Sequence, residues 1–348
     1  MTVNILSMIP LSDAGRARIE GIDPSIELVM APNWFHGEYR DTWPEYTSRS
    51  YLPPNLQGEG TRQERDALLA EAEIVLCGFP YPFDVRGRAP KLKWFHQTPA
   101  GASNLLNGDL WESDVVVTTS RGLGNTQSMA EWTVGTFFYF ARGFHQAVAD
   151  RTAGDFERLA YDPIQIQDKT VCVIGAGGIG QDVGKLCKGI GMRVIGTRRT
   201  ANAPLDGFDA VYTPDKLLEI LPEADFVSVC CQWTPETEGL IGTETLAAMK
   251  DGAIICNLAR GEIVDETALK ASLKAGKLRG VGLDVYVGEF ERLPDAELWA
   301  DDRVLFTPHI SAATDIRSKR QIDLFCRNLE AYIAGRPLEN VLDWARGY

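Results

Sequence analysis

The stretch from Thr170 to Arg199 constrains this chain more than any other. An apolar run, Thr170 to Ile174, leads into Gly175-Ala176-Gly177-Gly178-Ile179-Gly180, then into a helical pattern through Val183, Leu186 and Ile190 and a second apolar run, Met192 to Ile195. Strand, glycine turn, helix and strand in that order predict a βαβ unit of the kind that binds dinucleotides. Gly175 allows the tight turn, Gly177 lets backbone approach a pyrophosphate, and Gly180 lets the helix pack close to the strand. The helix start, at Gly178 and Ile179, offers phosphates its unpaired N–H groups and the positive end of its dipole.

The second strand ends in Gly196-Thr197-Arg198-Arg199. NAD sites place an Asp or Glu about 20 residues beyond the glycines to bind the ribose 2′-hydroxyl. A carboxylate repels a 2′-phosphate, whereas a guanidinium pairs with it in bidentate fashion. Arg198 and Arg199 therefore point to NADP(H) over NAD(H), with NAD(H) still possible.

The 348 residues leave room for two domains, and 45% hydrophobic with 24% charged residues is the balance of a soluble globular protein. A net charge of -13 disfavours nucleic acid and anionic membrane surfaces as partners, since no basic stripe offsets it. Met1 to Pro10 lacks a basic leader segment, no apolar run reaches membrane-span length, and a cytoplasmic location is expected. The seven cysteines show neither CxxC nor zinc spacing, so no metal is expected, and Cys172, Cys230, Cys231 and Cys256 read as small core residues.

Strands are expected at Val3 to Ile9, Ile26 to Met30, Ile74 to Cys77, Leu92 to Phe95 and Val115 to Thr119, with helices at Asp13 to Glu20 and Arg62 to Ala72. Between them, Ala31 to Gly60 reads as a long irregular stretch rich in proline and aromatics, either a substrate lid or a cover for its own domain or for a partner subunit. The helix Ser128 to Phe144 is apolar nearly all round, which predicts burial between domains or in a homodimer interface. Beyond the glycine unit, strands at Ala210 to Tyr212, Phe226 to Cys231, Ala253 to Leu258 and Val281 to Val285 alternate with helices at Pro214 to Leu221, Thr243 to Met249 and Asp265 to Ala275. Such alternation predicts a doubly wound parallel sheet with its ligand beyond the carboxyl ends of the strands. Arg260, Asp284, Glu289 and His309 all fall at such ends. A last helix, Ala312 to Ala334, is expected to return to the first domain. The expected fold class is α/β, a Rossmann-type cofactor domain over 120–311 and a smaller flavodoxin-like substrate domain from 1–119 and 312–348.

In order along the chain stand Gly175 to Gly180, Thr234-Pro235-Glu236-Thr237, Asn257 to Gly261 with Ile263-Val264-Asp265, Gly282-Leu283-Asp284-Val285, and Thr307-Pro308-His309. Together they resemble the D-isomer-specific 2-hydroxyacid dehydrogenase family, from about Leu92 to Thr314. Reducing a 2-oxo acid requires a proton donor at the carbonyl oxygen and a cation for the carboxylate. The resemblance implies His309 as acid/base, Glu289 as its partner and Arg260 as the clamp on carboxylate and carbonyl. It implies cofactor contacts at Cys231, Thr237, Ala259, Asp284 and His309 beside the glycine turn, and substrate contacts at Gly78, Phe79 and Gly101 together with Arg260. Phe79, Tyr81, Phe83, Tyr286 and Trp299 furnish either an apolar pocket or packing, and His96 and His145 read as structural. His36 reaches the site only if its loop folds over it.

The chain departs from the family pattern at Arg198, at Gln232 where many members have proline, and at Gly101 to Asn104, which lacks the usual aspartate. Formate oxidation is disfavoured by Glu289, where that branch carries glutamine. The implied activity is NADPH-dependent reduction of a 2-oxo acid to the D-2-hydroxy acid by a homodimer. The alternative is a dinucleotide-sensing, corepressor-like binding protein on the same fold.

Overall fold

The computed structural model describes residues 2–55, 57–121, 125–200, 204–315 and 317–345. They form two compact units, 1–124 with 315–348, and 125–314.

The first unit contains β1 (Val3–Ser7), α1 (Asp13–Glu20), β2 (Ile26–Met30), α2 (His36–Thr42), α3 (Glu45–Tyr51), α4 (Arg62–Glu71), β3 (Ile74–Cys77), α5 (Val85–Arg88), β4 (Trp94–Gln97) and β5 (Val116–Thr119). Its five strands are parallel in the order β2-β1-β3-β4-β5, the flavodoxin-like arrangement. Because side chains alternate across a strand, Ile5, Ile74, Leu76 and Trp94 face one core while Leu6, Val75, Phe95 and Val117 face the other. Thr61 and Glu64 close a capping box on α4, whose first turn carries no other side-chain cap.

The second unit begins with α6 (Thr126–Ala141) and α7 (Phe144–Ala153). Then come β6 (Thr170–Ile174), α8 (Gly178–Gly189), β7 (Arg193–Thr197), β8 (Ala210–Tyr212), α9 (Leu217–Ile220), β9 (Phe226–Val229), α10 (Thr243–Ala248) and β10 (Ala253–Asn257). It closes with α11 (Glu266–Lys274), β11 (Leu278–Leu283), α12 (Ala296–Trp299) and β12 (Val304–Phe306), and α13 (Arg317–Ile333) belongs again to the first unit. The seven strands are parallel in the order β12-β11-β10-β9-β6-β7-β8. Strand order reverses between β6 and β9, so the ends of those strands open a crevice of the kind that takes dinucleotides.

The structure corrects three expectations. The 31–60 stretch holds two helices, α2 and α3, and its aromatics serve its own unit: the buried Trp43 packs on Phe79, Tyr81 and Phe83 and donates its indole N–H to Tyr81 O at 2.8 Å. α6 ends at Ala141, because Gly143 turns left-handed and starts α7; its Phe137 and Phe140 are fully buried inside the second unit, against Phe226, Val171 and Ile254. β11, which receives it, carries glycine, since a β-carbon at Gly280 would lie 2.2 Å from the Phe140 ring. One side of α6 thus lies on its own sheet, while Phe138 stays exposed on the helix surface. Finally, α13 starts at Arg317 rather than Ala312; Ala312 to Asp315 are turn and loop, and position 316 lies outside the described residues.

His96 on β4 is fully buried, with Nδ1 2.7 Å from Thr118 Oγ1. Burial pushes its imidazole down to about 3. The unfolded chain takes up that proton near pH ~6.5, so the contribution is complete above that pH and is lost as pH falls toward 3, by on the order of 4 kcal/mol. His96→Leu is expected to flatten the fall in urea stability between pH ~6.5 and ~4; a slope equal to that of the parent chain contradicts this.

Candidate active site

The glycine turn has one open side. Gly175 sits at φ 97°, and a β-carbon there would meet the Cys231 backbone at 2.6 Å; one at Gly180 would meet Gly175 O at 2.2 Å. Around Gly177, by contrast, a β-carbon would meet nothing within 4 Å. Gly177 caps α8 with no side-chain acceptor, so the N–H groups of Gly178, Ile179 and Gly180 start the helix beside that space. The cradle fits a pyrophosphate.

Arg198 and Arg199 follow β7 and are exposed, with Arg198 N–H fixed to Tyr212 O at 2.9 Å. Across from them the 231–237 loop is tied by Thr237, whose Oγ1 donates to Gln232 O at 2.6 Å and accepts from Thr234 N–H at 2.8 Å. That hydroxyl holds the turn at Gln232. Hydrogen bonding from Thr234, and in smaller part the Arg199 charge, holds the Glu236 carboxyl below the usual range. Burial pushes the Cys231 thiol up to about 12, which leaves it a neutral packing group.

Arg260 is positioned from β10. The buried Asn257 donates to Arg260 O at 2.7 Å and accepts from Ala259 N–H at 3.0 Å, while Arg260 Nη1 reaches Ala259 O at 2.6 Å. Gly261 then presses backbone to backbone on Tyr286, where a β-carbon would lie 2.1 Å from the carbonyl carbon. This contact joins the Arg260 turn to the segment that carries Glu289.

Glu289 is buried, and its Oε2 lies 3.0 Å from His309 Nδ1. A carboxylate only accepts, so Nδ1 carries a proton and Nε2 is the ring nitrogen left for a reacting group. His309 stands at φ 52°, a left-handed position rare for a side chain of this size, with its N–H donated to Asp284 O at 2.9 Å. The Asp284 carboxylate, fully buried, gathers the same turn: Oδ1 accepts from Thr307 Oγ1 at 2.6 Å and Ile310 N–H at 2.8 Å, and Oδ2 from Ser311 N–H at 2.9 Å. Asp284→Ala leaves three donors without an acceptor and is expected to cost about 3 kcal/mol in urea unfolding; an unchanged midpoint contradicts the tether.

Burial first, and then the Glu289 charge, raises the Glu262 carboxyl, while Arg260 lowers it. Arg260 and Glu289 thus act on one neighbour and share one locality. Asn257 and Thr307 open the two motifs that hold Arg260 and His309, and their bonds to Arg260 O and Asp284 Oδ1 give them a positioning role that the motifs alone do not state; Glu262 carries no signal in the sequence. Phe290 lies beside His309, ring centroids 6.4 Å apart, and Trp299 stacks on Phe306, which Tyr286 also meets edge-on.

In the first unit, Gly78 and Phe79 follow β3 and Gly101 follows β4. Gly78 fits between Ile9 and Thr98, and the Phe79 ring meets Trp43 and Tyr51 edge-on at 4.9 Å each. Tyr81 is fully buried and packs. His36 opens α2 beside Tyr39, and His145 lies beside Tyr139 and Phe140. Among the described residues no group of His, Cys, Asp and Glu is arranged to hold a metal ion, and no helix is long and apolar enough to cross a membrane.

These features define a dinucleotide-binding α/β fold with a histidine–carboxylate pair. The profile described as D-isomer specific 2-hydroxyacid dehydrogenase, NAD binding domain, matches residues 134–311, and the chain belongs to that family. It is 34% identical over 274 residues to the D-3-phosphoglycerate dehydrogenase of Methanocaldococcus jannaschii, covering 79% of this chain and 52% of the relative. To the hydroxypyruvate reductase of Blautia hydrogenotrophica it is 36% identical over 280 residues, covering 78% and 86%. The chain thus spans about half the length of the phosphoglycerate dehydrogenases it matches. A solved D-isomer specific 2-hydroxyacid dehydrogenase from Xanthobacter autotrophicus Py2, in complex with NADPH and MES, superposes with a TM-score of 0.76 at 25% identity, covering 100% of this chain and 99% of that one.

Proposed function

We propose that this chain is an NADPH-dependent reductase of 2-oxo acids that forms the D-2-hydroxy acid in the cytoplasm. The observation that carries the reading is the His309–Glu289 pair at 3.0 Å, held in a left-handed turn of the unit that contains the open Gly177 cradle. The bound reduced nicotinamide supplies a hydride to the carbonyl carbon. His309, protonated on both nitrogens, gives its Nε2 proton to the carbonyl oxygen, and Glu289 stabilises the imidazolium until it is used. Arg260 pairs with the substrate carboxylate and polarises the carbonyl. In the reverse direction neutral His309 accepts the hydroxyl proton. The relatives named hydroxypyruvate reductase and D-3-phosphoglycerate dehydrogenase, and the NADPH held by the Xanthobacter protein, support this reading.

The cofactor domain is 120–311 in this reading, with contacts from Gly175, Gly177, Gly178, Ile179, Gly180, Arg198, Arg199, Cys231, Thr237, Ala259, Asp284 and His309. The substrate contacts in this reading are Gly78, Phe79 and Gly101 in the first unit and Arg260 in the second. The test is loss of NADPH absorbance with glyoxylate, hydroxypyruvate, pyruvate and phenylpyruvate. Turnover of any supports the enzyme; tight NADPH binding with no turnover on the whole panel favours the corepressor-like alternative.

The reading includes a homodimer. No residue of α7 is buried, and beyond it Phe156 and Leu159 are each 97% exposed. Acidic Asp155 and Glu157 stand there between Arg151 and Arg158, a self-complementary set of the kind a two-fold interface uses. Light scattering is expected to give twice the chain mass of 38.4 kDa, and Phe156→Glu with Leu159→Glu to halve it; a parent chain of single mass contradicts the dimer.

A further inference from the structure

Two consecutive side chains of one turn meet the imidazole of His309. Glu289 Oε2 lies 3.0 Å from Nδ1, and the Phe290 ring has its centroid 6.4 Å from that of the imidazole with the two planes 31° apart. That separation is within the range at which ring pairs attract. The turn that carries both residues is closed at several points. Tyr286, itself buried, donates its phenol O–H to Arg292 O at 2.6 Å. Gly288 is left-handed at φ 78°; its carbonyl accepts from Glu291 N–H at 2.9 Å and Arg292 N–H at 3.1 Å, and Glu289 N–H donates to Tyr286 O at 3.2 Å. Val287 N–H donates to Glu266 Oε1 at the start of α11 at 3.2 Å. Glu289 and Phe290 therefore project from a backbone that is tied along its length, and side chains so held restrain what they touch.

The bond to Glu289 does not fix the ring by itself. A hydrogen bond keeps most of its strength while the donor swings by about 30° from linear. Pivoting on Nδ1 through that angle carries the far nitrogen of an imidazole by about an ångström. A misplacement of that size costs up to about a hundredfold in rate. The left-handed backbone of His309, with its N–H on Asp284 O, sets where the side chain starts but not how the ring tilts. Phe290, half-buried, packs beside the imidazole and limits its swing toward that side.

We propose that Phe290 is a positioning residue for proton transfer: held on the turn that Tyr286 closes, its ring keeps the His309 imidazole at the tilt from which Nε2 reaches the carbonyl oxygen. This rests on the assignment of His309 as the acid/base. Phe290 neither donates nor accepts a proton, and it acts through the imidazole. Glu289 sets which nitrogen carries the proton toward it, and Phe290 sets where the other nitrogen stands.

The test compares Phe290→Ala, Phe290→Tyr and Tyr286→Phe with the parent chain, and repeats Phe290→Ala in a His309→Ala background. It reads the single-turnover rate of NADPH oxidation on the 2-oxo acid turned over best, KM for a small and a bulky 2-oxo acid, NADPH affinity and melting temperature. Phe290→Ala is expected to lower the single-turnover rate by about tenfold, with KM within about threefold and NADPH affinity unchanged. Phe290→Tyr keeps the ring and stays within about twofold of the parent rate. Tyr286→Phe, which opens one tie of the turn, gives a smaller loss than Phe290→Ala. In the His309→Ala background Phe290→Ala brings no further loss, because the group it positions is gone. A further loss there, or a KM that changes with the bulk of the substrate, overturns the proposal and makes Phe290 a wall of the substrate pocket. Equal losses of rate, NADPH affinity and melting temperature in Phe290→Ala and Phe290→Tyr also overturn it, because that is general structural damage. A normal rate in Phe290→Ala beside an inactive His309→Ala overturns the proposal while the acid/base assignment stands; a near-normal rate in His309→Ala fails both.

Discussion

His309→Ala is expected to lower kcat for 2-oxo acid reduction by about a hundredfold or more, the loss that follows removal of a positioned acid. NADPH affinity should fall far less than kcat, because the phosphate cradle at Gly177 and the loop tied by Thr237 do not depend on the imidazole. Glu289→Gln should produce a smaller loss, since it keeps a hydrogen-bond partner at Nδ1 while removing the carboxylate paired with it. Stopped-flow measurement of NADPH oxidation separates the chemical step from product release. A His309→Ala variant with near-normal single-turnover rate would contradict the acid/base assignment and point to another proton donor.

Arg198→Asp is expected to reverse cofactor preference. A bidentate, charge-assisted contact to a 2′-phosphate and its replacement by a repelling carboxylate together shift the NADPH-to-NADH affinity ratio by roughly a hundredfold or more. The location supports a sizeable effect: Arg198 has its backbone pinned to Tyr212 at the end of β7, so its side chain starts from a fixed point. Calorimetric titration of both variants with each dinucleotide reads the ratio directly. An unchanged ratio would mean that Arg198 is a solvated surface charge and that any 2′-phosphate is bound elsewhere.

The parts of this molecule that were legible in the sequence are those where a local pattern has one physical solution. The glycines of 175–180 permit one turn, the apolar runs that alternate with helical spacing permit a parallel sheet, and the order of Arg260, Glu289 and His309 marks strand ends. Relations between distant residues were not legible. The left-handed backbone of His309 depends on Asp284, some 25 residues away, and on bonds to Ile310 and Ser311. The apolar girth of α6 has one source that a sequence does not announce: the sheet beneath carries Gly280 and Gly282 to receive Phe140 and Thr136. Prolines and clustered rings in 31–60 suggested an irregular loop; Pro44 instead precedes α3, a tolerated place for it, and the rings close their own core. The contact of Phe290 with His309 joins two segments with no shared periodicity to announce it.

The most direct test of the central claim is product analysis. Purified protein is incubated with NADPH and each 2-oxo acid of the panel, NADPH consumption is followed by absorbance, and the hydroxy acid is resolved by chiral chromatography. One D-2-hydroxy acid formed per NADPH consumed, abolished by His309→Ala, is the predicted result. NADPH that binds but is not consumed, or a product of L configuration, would contradict the account.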